Sequence, residues 1–89
     1  MEFEWDQAKR LANLAKHGFD FLRATDVFLG PHLLIPARNA AAEHRWLAIG
    51  TTDGVPVTVV FTQRGQTIRV ISIRSSRRGE RSRYQALFD

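Results

Sequence analysis

The sequence predicts an α+β domain in which two N-terminal helices precede a three- to four-stranded antiparallel sheet and a C-terminal helix. Apolar residues recur at helical spacing through residue 29 and then follow the alternating, β-branched pattern of strands. Asp53-Gly54 is a strong hairpin signal between two of these strands. A chain of 89 residues has apolar surface for one core, so residues 1–89 are predicted to form one domain.

The first helix follows Phe3–Trp5, which is predicted to be a short strand or an extended lead-in. Asp6 is placed to cap this helix, which runs to about His17 and ends at Gly18. The spacing of small and charged residues predicts two distinct faces. Ala8, Leu11, Ala12 and Ala15 form the predicted buried stripe, and Lys9, Asn13 and Lys16 line the other side.

A second helix is predicted at Asp20–Leu29, capped by Asp20 and stopped by Gly30-Pro31. Four candidate strands follow: His32–Pro36, Arg45–Thr52, Val55–Gln63 and Thr67–Arg74. An alanine-rich loop, Arg38–Glu43, separates the first two. Ser75 or Ser76 is placed to cap a final helix, which runs to about Phe88 and is anchored by Tyr84, Leu87 and Phe88.

Composition excludes several classes of protein. With 44% hydrophobic and 25% charged residues the chain is typical of a folded globular domain. It holds no apolar run of the roughly 20 residues that cross a bilayer, and its first residues are acidic where a signal peptide is basic. It has no cysteine, and its three histidines are scattered, so we predict no disulfide, metal site or cofactor. We therefore expect a cytoplasmic protein.

The positive charge lies at the C-terminal end. Residues 1–63 contain six Lys or Arg and seven Asp or Glu, whereas residues 64–89 contain seven arginines and two acidic residues. These arginines are Arg64, Arg69, Arg74, Arg77, Arg78, Arg81 and Arg83. Guanidinium groups bind phosphate in a bidentate manner and stay charged at physiological pH. A polyanionic partner is indicated, unless these arginines merely form a solvated face.

Arginine spacing narrows the candidate anion site. Arg69 and Arg74 are five residues apart on the last strand, so strict alternation predicts that they point to opposite faces. Arg74 ends that strand beside the final helix, where Arg77, Arg78 and Arg81 can converge on one ligand. We predict the anion site at this junction.

Three side chains are candidates for proton transfer. Glu80 and Tyr84 lie one helical turn apart beside the arginines, although Glu80 also fits a simple ion pair and Tyr84 a core anchor. His17 fits either a cation at the end of the first helix or a catalytic imidazole. Trp5 and Trp46 fit base stacking or, more often in so small a chain, the core.

Two sets of residues, in this order along the chain, make the sequence resemble the BrnT family of toxins. The N-terminal resemblance rests on Phe3-Glu4-Trp5-Asp6, Lys9, Asn13, Lys16-His17-Gly18, Phe21, Ala24 and Val27-Phe28. The remainder rests on Arg45, Ile49-Gly50, Arg69-Val70-Ile71-Ser72, Arg74, Glu80-Arg81 and Tyr84. This resemblance covers nearly the whole chain. Two segments depart from it, since Ala37–Glu43 is rich in alanine rather than acidic and Arg74–Gly79 carries additional arginine.

The resemblance implies a RelE-like ribonuclease fold and a toxin that cleaves RNA to inhibit translation. It also implies a cognate ribbon-helix-helix antitoxin, which neutralises the toxin in a heterotetramer and represses the operon by binding operator DNA. On this hypothesis the catalytic set is Arg64, Arg74, Arg81, Glu80, Tyr84 and His17. Further RNA-binding residues are Lys16, Arg69, Arg77 and Arg78.

Two other hypotheses remain open. The same basic face would also serve a binding module that docks nucleic acid or an acidic protein without cleaving it. The departures from the family pattern permit a degenerate toxin retained as an antitoxin-bound co-repressor.

Overall fold

A computed structural model describes residues 1–38 and 44–88 of the chain. Its elements are β1 (Glu2–Glu4), α1 (Gln7–His17), α2 (Ala24–Leu29), β2 (Leu33–Pro36), β3 (Trp46–Thr52), β4 (Val55–Arg64), β5 (Thr67–Ser75) and α3 (Arg78–Phe88). A short 3-10 helix, Phe21–Arg23, leads directly into α2. Of the predicted loop at Arg38–Glu43, only Arg38 is among the described residues. None of the helices within residues 1–38 and 44–88 has both the length and the apolar character that a membrane span requires.

The sheet has five strands in the order β1-β5-β4-β3-β2. Strands β2 to β5 form an antiparallel meander, but β1 pairs parallel to β5, with Phe3 opposite Ile68. The α+β class is confirmed, and the prediction of a three- to four-stranded antiparallel sheet is wrong. The difference arises because the three residues of β1 join the last strand, a pairing across the length of the chain that no local pattern signals.

Local turn and capping signals are confirmed. Asp53 and Gly54 have φ angles of 50° and 76°, the two positive values that a two-residue type I′ hairpin requires. The Asp6 side chain accepts a hydrogen bond from the Lys9 backbone N–H at 3.0 Å, and Gly18 ends α1 with a φ of 78°. The Asp20 side chain likewise accepts from the Leu22 N–H.

The apolar core lies on one face of the sheet, here called the first face, beneath the N-terminal helices. It contains Phe21, Ala24, Val27, Phe28, Ala48, Val57, Val59, Phe61, Ile68, Val70 and Ile73. Phe28 packs edge-on against Phe61 with ring centroids 5.1 Å apart, and Trp5 packs edge-on against Phe21 at 6.1 Å. Trp5 is therefore a half-buried part of the core rather than a surface ring available for stacking.

A β-bulge interrupts β5. Phe61 of β4 pairs with Val70, whereas the preceding residue, Val60, pairs with Ser72, so Ile71 is an extra residue. The bulge shifts the alternation of β5: core-facing residues are even-numbered before it, at Ile68 and Val70, and odd-numbered after it, at Ile73. The residue types of β5 cannot show this shift, because apolar residues occur on both sides of it.

The bulge also corrects the predicted directions of two arginines. Arg69 stands opposite Thr62 and Arg74 opposite Thr58. Thr58 and Thr62 are an even number of residues apart on the regular strand β4, so both arginines project from the same face of the sheet. The prediction that they point to opposite faces is wrong.

Asn13 fastens α1 to the sheet. Its carboxamide nitrogen donates to the backbone carbonyls of Phe19 and Ile73, both at 2.9 Å, and its oxygen accepts from the Ser72 hydroxyl at 3.1 Å and the Ile73 N–H at 3.2 Å. Both hydrogens and both lone pairs of the amide are thus used. The amide takes the place of a neighbouring strand at Ile73, beyond the end of β1.

The predicted faces of α1 are therefore wrong. Ala8, Leu11, Ala12 and Ala15 are exposed, and the buried residue of the helix is Asn13, which was predicted on the polar side. A second polar contact holds the helix, since the Arg10 guanidinium donates to both oxygens of Asp20 at 2.8 and 2.9 Å. This hydrogen bonding lowers the pKa of the Asp20 carboxyl.

Replacing Asn13 by alanine should destabilise the fold by about 2 to 4 kcal/mol, because buried backbone groups of Ile73 and Phe19 lose their partners. Leu11→Ala, on the same helix and 56% exposed, is the control and should cost less than about 1 kcal/mol. Urea unfolding of both variants measures the difference. Equal losses in the two variants would contradict this role of Asn13.

Candidate functional site

The face of the sheet opposite the core, here called the second face, carries polar and apolar side chains together. Thr58 and Val60 alternate with the core residues of β4, and Arg74 of β5 stands directly opposite Thr58. Leu47 of β3 stands opposite Val60 and extends this face. Helix α3 lies over part of the second face and leaves the remainder open.

A groove beside α3 has a volume of about 490 Å³ and an apolar floor of Ile35, Leu47 and Val60. Among the described residues its walls include Arg38, Arg45, Arg74, Arg77 and Arg83. We call this feature the arginine groove. Closely placed guanidinium groups bind phosphate, and the apolar floor can contact the bases and sugars of a nucleic acid.

Glu80 joins α3 to the second face. Its carboxylate oxygens accept from Arg74 Nη1 at 2.8 Å and from Arg74 Nη2 at 3.0 Å, a bidentate pair in which the side chains are only 12% and 15% exposed. Glu80 Oε1 also accepts from the Thr58 hydroxyl at 2.9 Å and from the Arg77 backbone N–H at 2.8 Å. We call this set of contacts the Glu80 clamp.

The Glu80 clamp keeps the carboxylate ionised. Burial by itself would raise the pKa of Glu80. Hydrogen bonds from Arg74, from the Arg77 N–H and from Thr58, together with the charge of Arg74, outweigh burial and lower the pKa from 4.5 to about 2.

The beginning of α3 differs from the prediction. The Ser76 hydroxyl does not cap the helix but lies buried against the Thr58 hydroxyl at 2.9 Å. Glu80 caps it instead, because its side chain reaches back to the Arg77 N–H, as the acidic member of a capping box does. The predicted anchoring by Leu87 and Phe88 is also wrong, since both are exposed and no described residue of α3 is buried.

Arg81 and Tyr84 line a smaller pocket on the other side of α3. Gln85 of α3 and residues of the β3–β4 hairpin, among them Ile49 and Pro56, form its other described walls. Arg81 donates to the Ser76 backbone carbonyl at 2.8 Å, and the half-buried Tyr84 ring packs against Phe88 with centroids 4.9 Å apart. Helix α3 thus separates these two predicted residues from the arginine groove.

Other predicted residues lie farther away. Arg69 is ion-paired with Glu4, and Arg64 is exposed at the last position of β4. Along β4 their positions lie four and six residues from Thr58, about 13 and 20 Å from Arg74. Arg78 is exposed at the first position of α3.

Lys16 and His17 lie in the layer of the N-terminal helices, across the sheet from α3 and the arginine groove. Both are at the C-terminal end of α1, where they line a shallow groove with Lys9 and the bulged residue Ile71. This second basic groove runs along the edge of β5 rather than over the second face. The structure therefore brings Arg74, Arg77 and Glu80 together and does not bring His17 to them.

Comparison with models of known protein families shows which family the chain belongs to. Residues 5–80 match the model of a family described as the ribonuclease toxin BrnT of type II toxin-antitoxin systems. The chain belongs to the BrnT family. None of the curated proteins compared with the chain matches it. Membership confirms the resemblance in the sequence and identifies a family of ribonuclease toxins.

Three arginines that line the arginine groove were not among the predicted site residues. Arg38 and Arg45 meet because β2 and β3 pair there, with the Ala37 N–H donating to the Arg45 carbonyl at 2.9 Å. Arg83 lies two residues from Arg81, which places the two arginines on nearly opposite sides of α3. The strand pairing needed to find Arg38 and Arg45 carries no strong sequence signal, whereas helical spacing could have separated Arg83 from Arg81.

The clamp should make stability depend on pH. Because the pKa of Glu80 is lower in the folded protein than its ordinary value, its contribution is complete above about pH 4.5 and is lost as the pH falls toward 2. The shift corresponds to at most about 3 kcal/mol, and solvent screening reduces the expected value to about 1 to 2 kcal/mol.

Urea unfolding of the wild type and Glu80→Gln at pH 7 and pH 3 measures this contribution. The wild type should be more stable at pH 7, and its advantage should fall to about half of that value at pH 3, because the folded-state pKa of Glu80 is about 2. An equal difference at both pH values would show that the charge of Glu80 contributes nothing.

Proposed function

We propose that this BrnT-family protein is an endoribonuclease that binds RNA in the arginine groove and cleaves it without a metal ion, thereby inhibiting translation. The convergence of Arg74 from the sheet with Arg77 and Arg83 from the helical segment over an apolar floor carries the proposal. Family membership supports RNA as the polyanion. We infer that the protein acts in the cytoplasm, where its RNA substrate is translated.

The proposed reaction is attack by a ribose 2′-hydroxyl on the adjacent phosphorus. The O2′–P bond forms and the P–O5′ bond breaks, which leaves a 2′,3′-cyclic phosphate and a 5′-hydroxyl. One proton leaves the 2′-hydroxyl and one is delivered to the departing 5′ oxygen. Extra negative charge develops on the phosphoryl oxygens, and arginines held in place beforehand stabilise it.

We assign phosphate binding at the reacting centre to Arg74, Arg77 and Arg83. The remaining cations would contact the flanking RNA: Arg64, Arg69, Arg78, Arg81 and Lys16. Tyr84 and His17 remain candidates for proton transfer. Neither side chain lines the arginine groove, since Tyr84 lies on the other side of α3 and His17 lies at the end of α1.

The partner we propose is a cognate ribbon-helix-helix antitoxin that neutralises the toxin in a heterotetramer and binds operator DNA. Membership in a family of type II toxins supports an antitoxin, and the resemblance implies its class. Expression of the chain alone should arrest growth, co-expression with the product of the neighbouring gene should restore it, and native mass spectrometry of the purified pair should give two copies of each chain.

A second candidate is a degenerate toxin that binds RNA or antitoxin without catalysis. The observation that favours it is the Glu80 clamp, because the carboxylate that pairs with Arg74 of the groove is fully engaged and ionised. Unimpaired growth on expression of the chain alone, together with intact RNA in the cleavage assay, would support this candidate over the nuclease.

The nuclease proposal predicts cleavage of RNA by the purified protein in EDTA. The double variant Arg77→Ala/Arg83→Ala should cleave at least about tenfold more slowly, because two groove cations are removed. Both residues are exposed, so folding should be retained. The rate of fragment formation, followed by gel electrophoresis, measures the effect.

Arg23→Ala is the matched control. This arginine is exposed near the first face, and its ion pairs with Asp26 and Asp53 are of the surface type, which contribute little. Its cleavage rate should stay within about twofold of the wild type. An equal loss in the control contradicts the groove assignment, and cleavage that appears only with added divalent metal contradicts the metal-independent mechanism.

A further inference from the structure

The Glu80 clamp fixes the direction of every hydrogen bond in it. An ionised carboxylate can only accept, so the Thr58 hydroxyl donates its single hydrogen to Glu80. The Ser76 hydroxyl must then donate to Thr58. These bonds form a chain that ends on the Glu80–Arg74 pair, in which each bond polarises the next.

The positions of the bonded residues show which parts of the fold these hydrogen bonds connect. Thr58 is fully buried on the central strand β4, and Arg74 is on its neighbour β5. The N–H of Arg77 marks the start of α3. Two walls of the arginine groove, one from the sheet and one from the helix, are therefore joined through one carboxylate.

We propose that Glu80 and Thr58 are positioning residues that hold the Arg74 guanidinium at the wall of the arginine groove, in register with Arg77 at the residue before α3, and that neither exchanges a proton with RNA. This inference rests on the proposed ribonuclease function for its catalytic consequence. The sequence does not indicate this role of Thr58, because threonine is common at alternating positions of strands.

Two observations support positioning rather than proton transfer. Glu80 Oε1 already accepts three hydrogen bonds, and Oε2 accepts from Arg74 Nη2. A general base must reach the hydroxyl it deprotonates, and for Glu80 this would require breaking the pair with Arg74. The contacts hold Arg74 on one side and leave it as a wall of the groove on the other.

The activity test compares Glu80→Gln, Thr58→Val and Thr58→Ser over a range of pH. Thr58→Val and Glu80→Gln should lower kcat/KM for RNA cleavage by about tenfold, since Arg74 loses its fixed position. Thr58→Ser, which keeps the hydroxyl, should restore most of the rate. The pH profiles of all variants should keep the limbs and midpoints of the wild type. A limb that disappears in Glu80→Gln, with a loss of about 10² to 10⁴-fold, would identify Glu80 as a proton-transfer group and overturn the proposal.

Thr52→Val is the matched control for Thr58→Val. Thr52 is also a buried strand threonine, and its hydroxyl donates to the Asp26 carboxylate at 2.6 Å, away from the arginine groove. It should lose a comparable amount of stability and retain the cleavage rate. Equal losses of activity in the two valine variants would show that Thr58 contributes only to stability, which would contradict its positioning role.

A second readout does not depend on activity. The side-chain N–H signals of Arg74 in NMR spectra should be sharp in the wild type and in Thr52→Val, and broad or absent in Thr58→Val and Glu80→Gln. Sharp Arg74 signals in a wild type that cleaves no RNA would support the clamp and contradict the proposed function. Broad Arg74 signals in an active wild type would overturn the clamp and leave the nuclease proposal standing.

Discussion

The hydrogen bonds between the Asn13 carboxamide and the backbone of Ile73 determine how β5 presents its side chains. Strand β1 covers the edge of β5 only as far as Arg69, and the bulge at Ile71 follows directly. Without Asn13 the edge beyond the bulge would have exposed N–H and C=O groups close to the core, which is costly. Because Arg74 is the next residue after Ile73, the same amide fixes the backbone from which the arginine groove is built.

The two faces of the sheet are held by different physical interactions. The first face is packed by aromatic and aliphatic side chains, which stabilise it through burial of apolar surface. The second face is joined to α3 by the Glu80 clamp, with no fully buried apolar residue on the described part of that helix. Beside this attachment, part of the second face stays open, and the open part is the arginine groove.

Local features could be predicted from the sequence, and long-range ones could not. Caps at Asp6 and Asp20 and the Asp53-Gly54 turn depend on neighbouring residues, so their signals lie within a few positions. The pairing of β1 and the bulge in β5 depend on contacts across the sheet. Of the arginines that line the groove, spacing indicated Arg74 and Arg77, together with Arg78 and Arg81, which do not line it. Placing Arg38 and Arg45 in the groove needed the pairing of β2 with β3.

The most direct test of the groove as the RNA site is to map the binding of a short RNA whose 2′-hydroxyls are methylated and which therefore cannot undergo the proposed attack. We expect the NMR signals that shift on binding to cluster at Leu47, Val60, Arg74, Arg77 and Arg83. Shifts confined to the basic groove of Lys9, Lys16 and His17 would contradict the assignment of the RNA site to the second face.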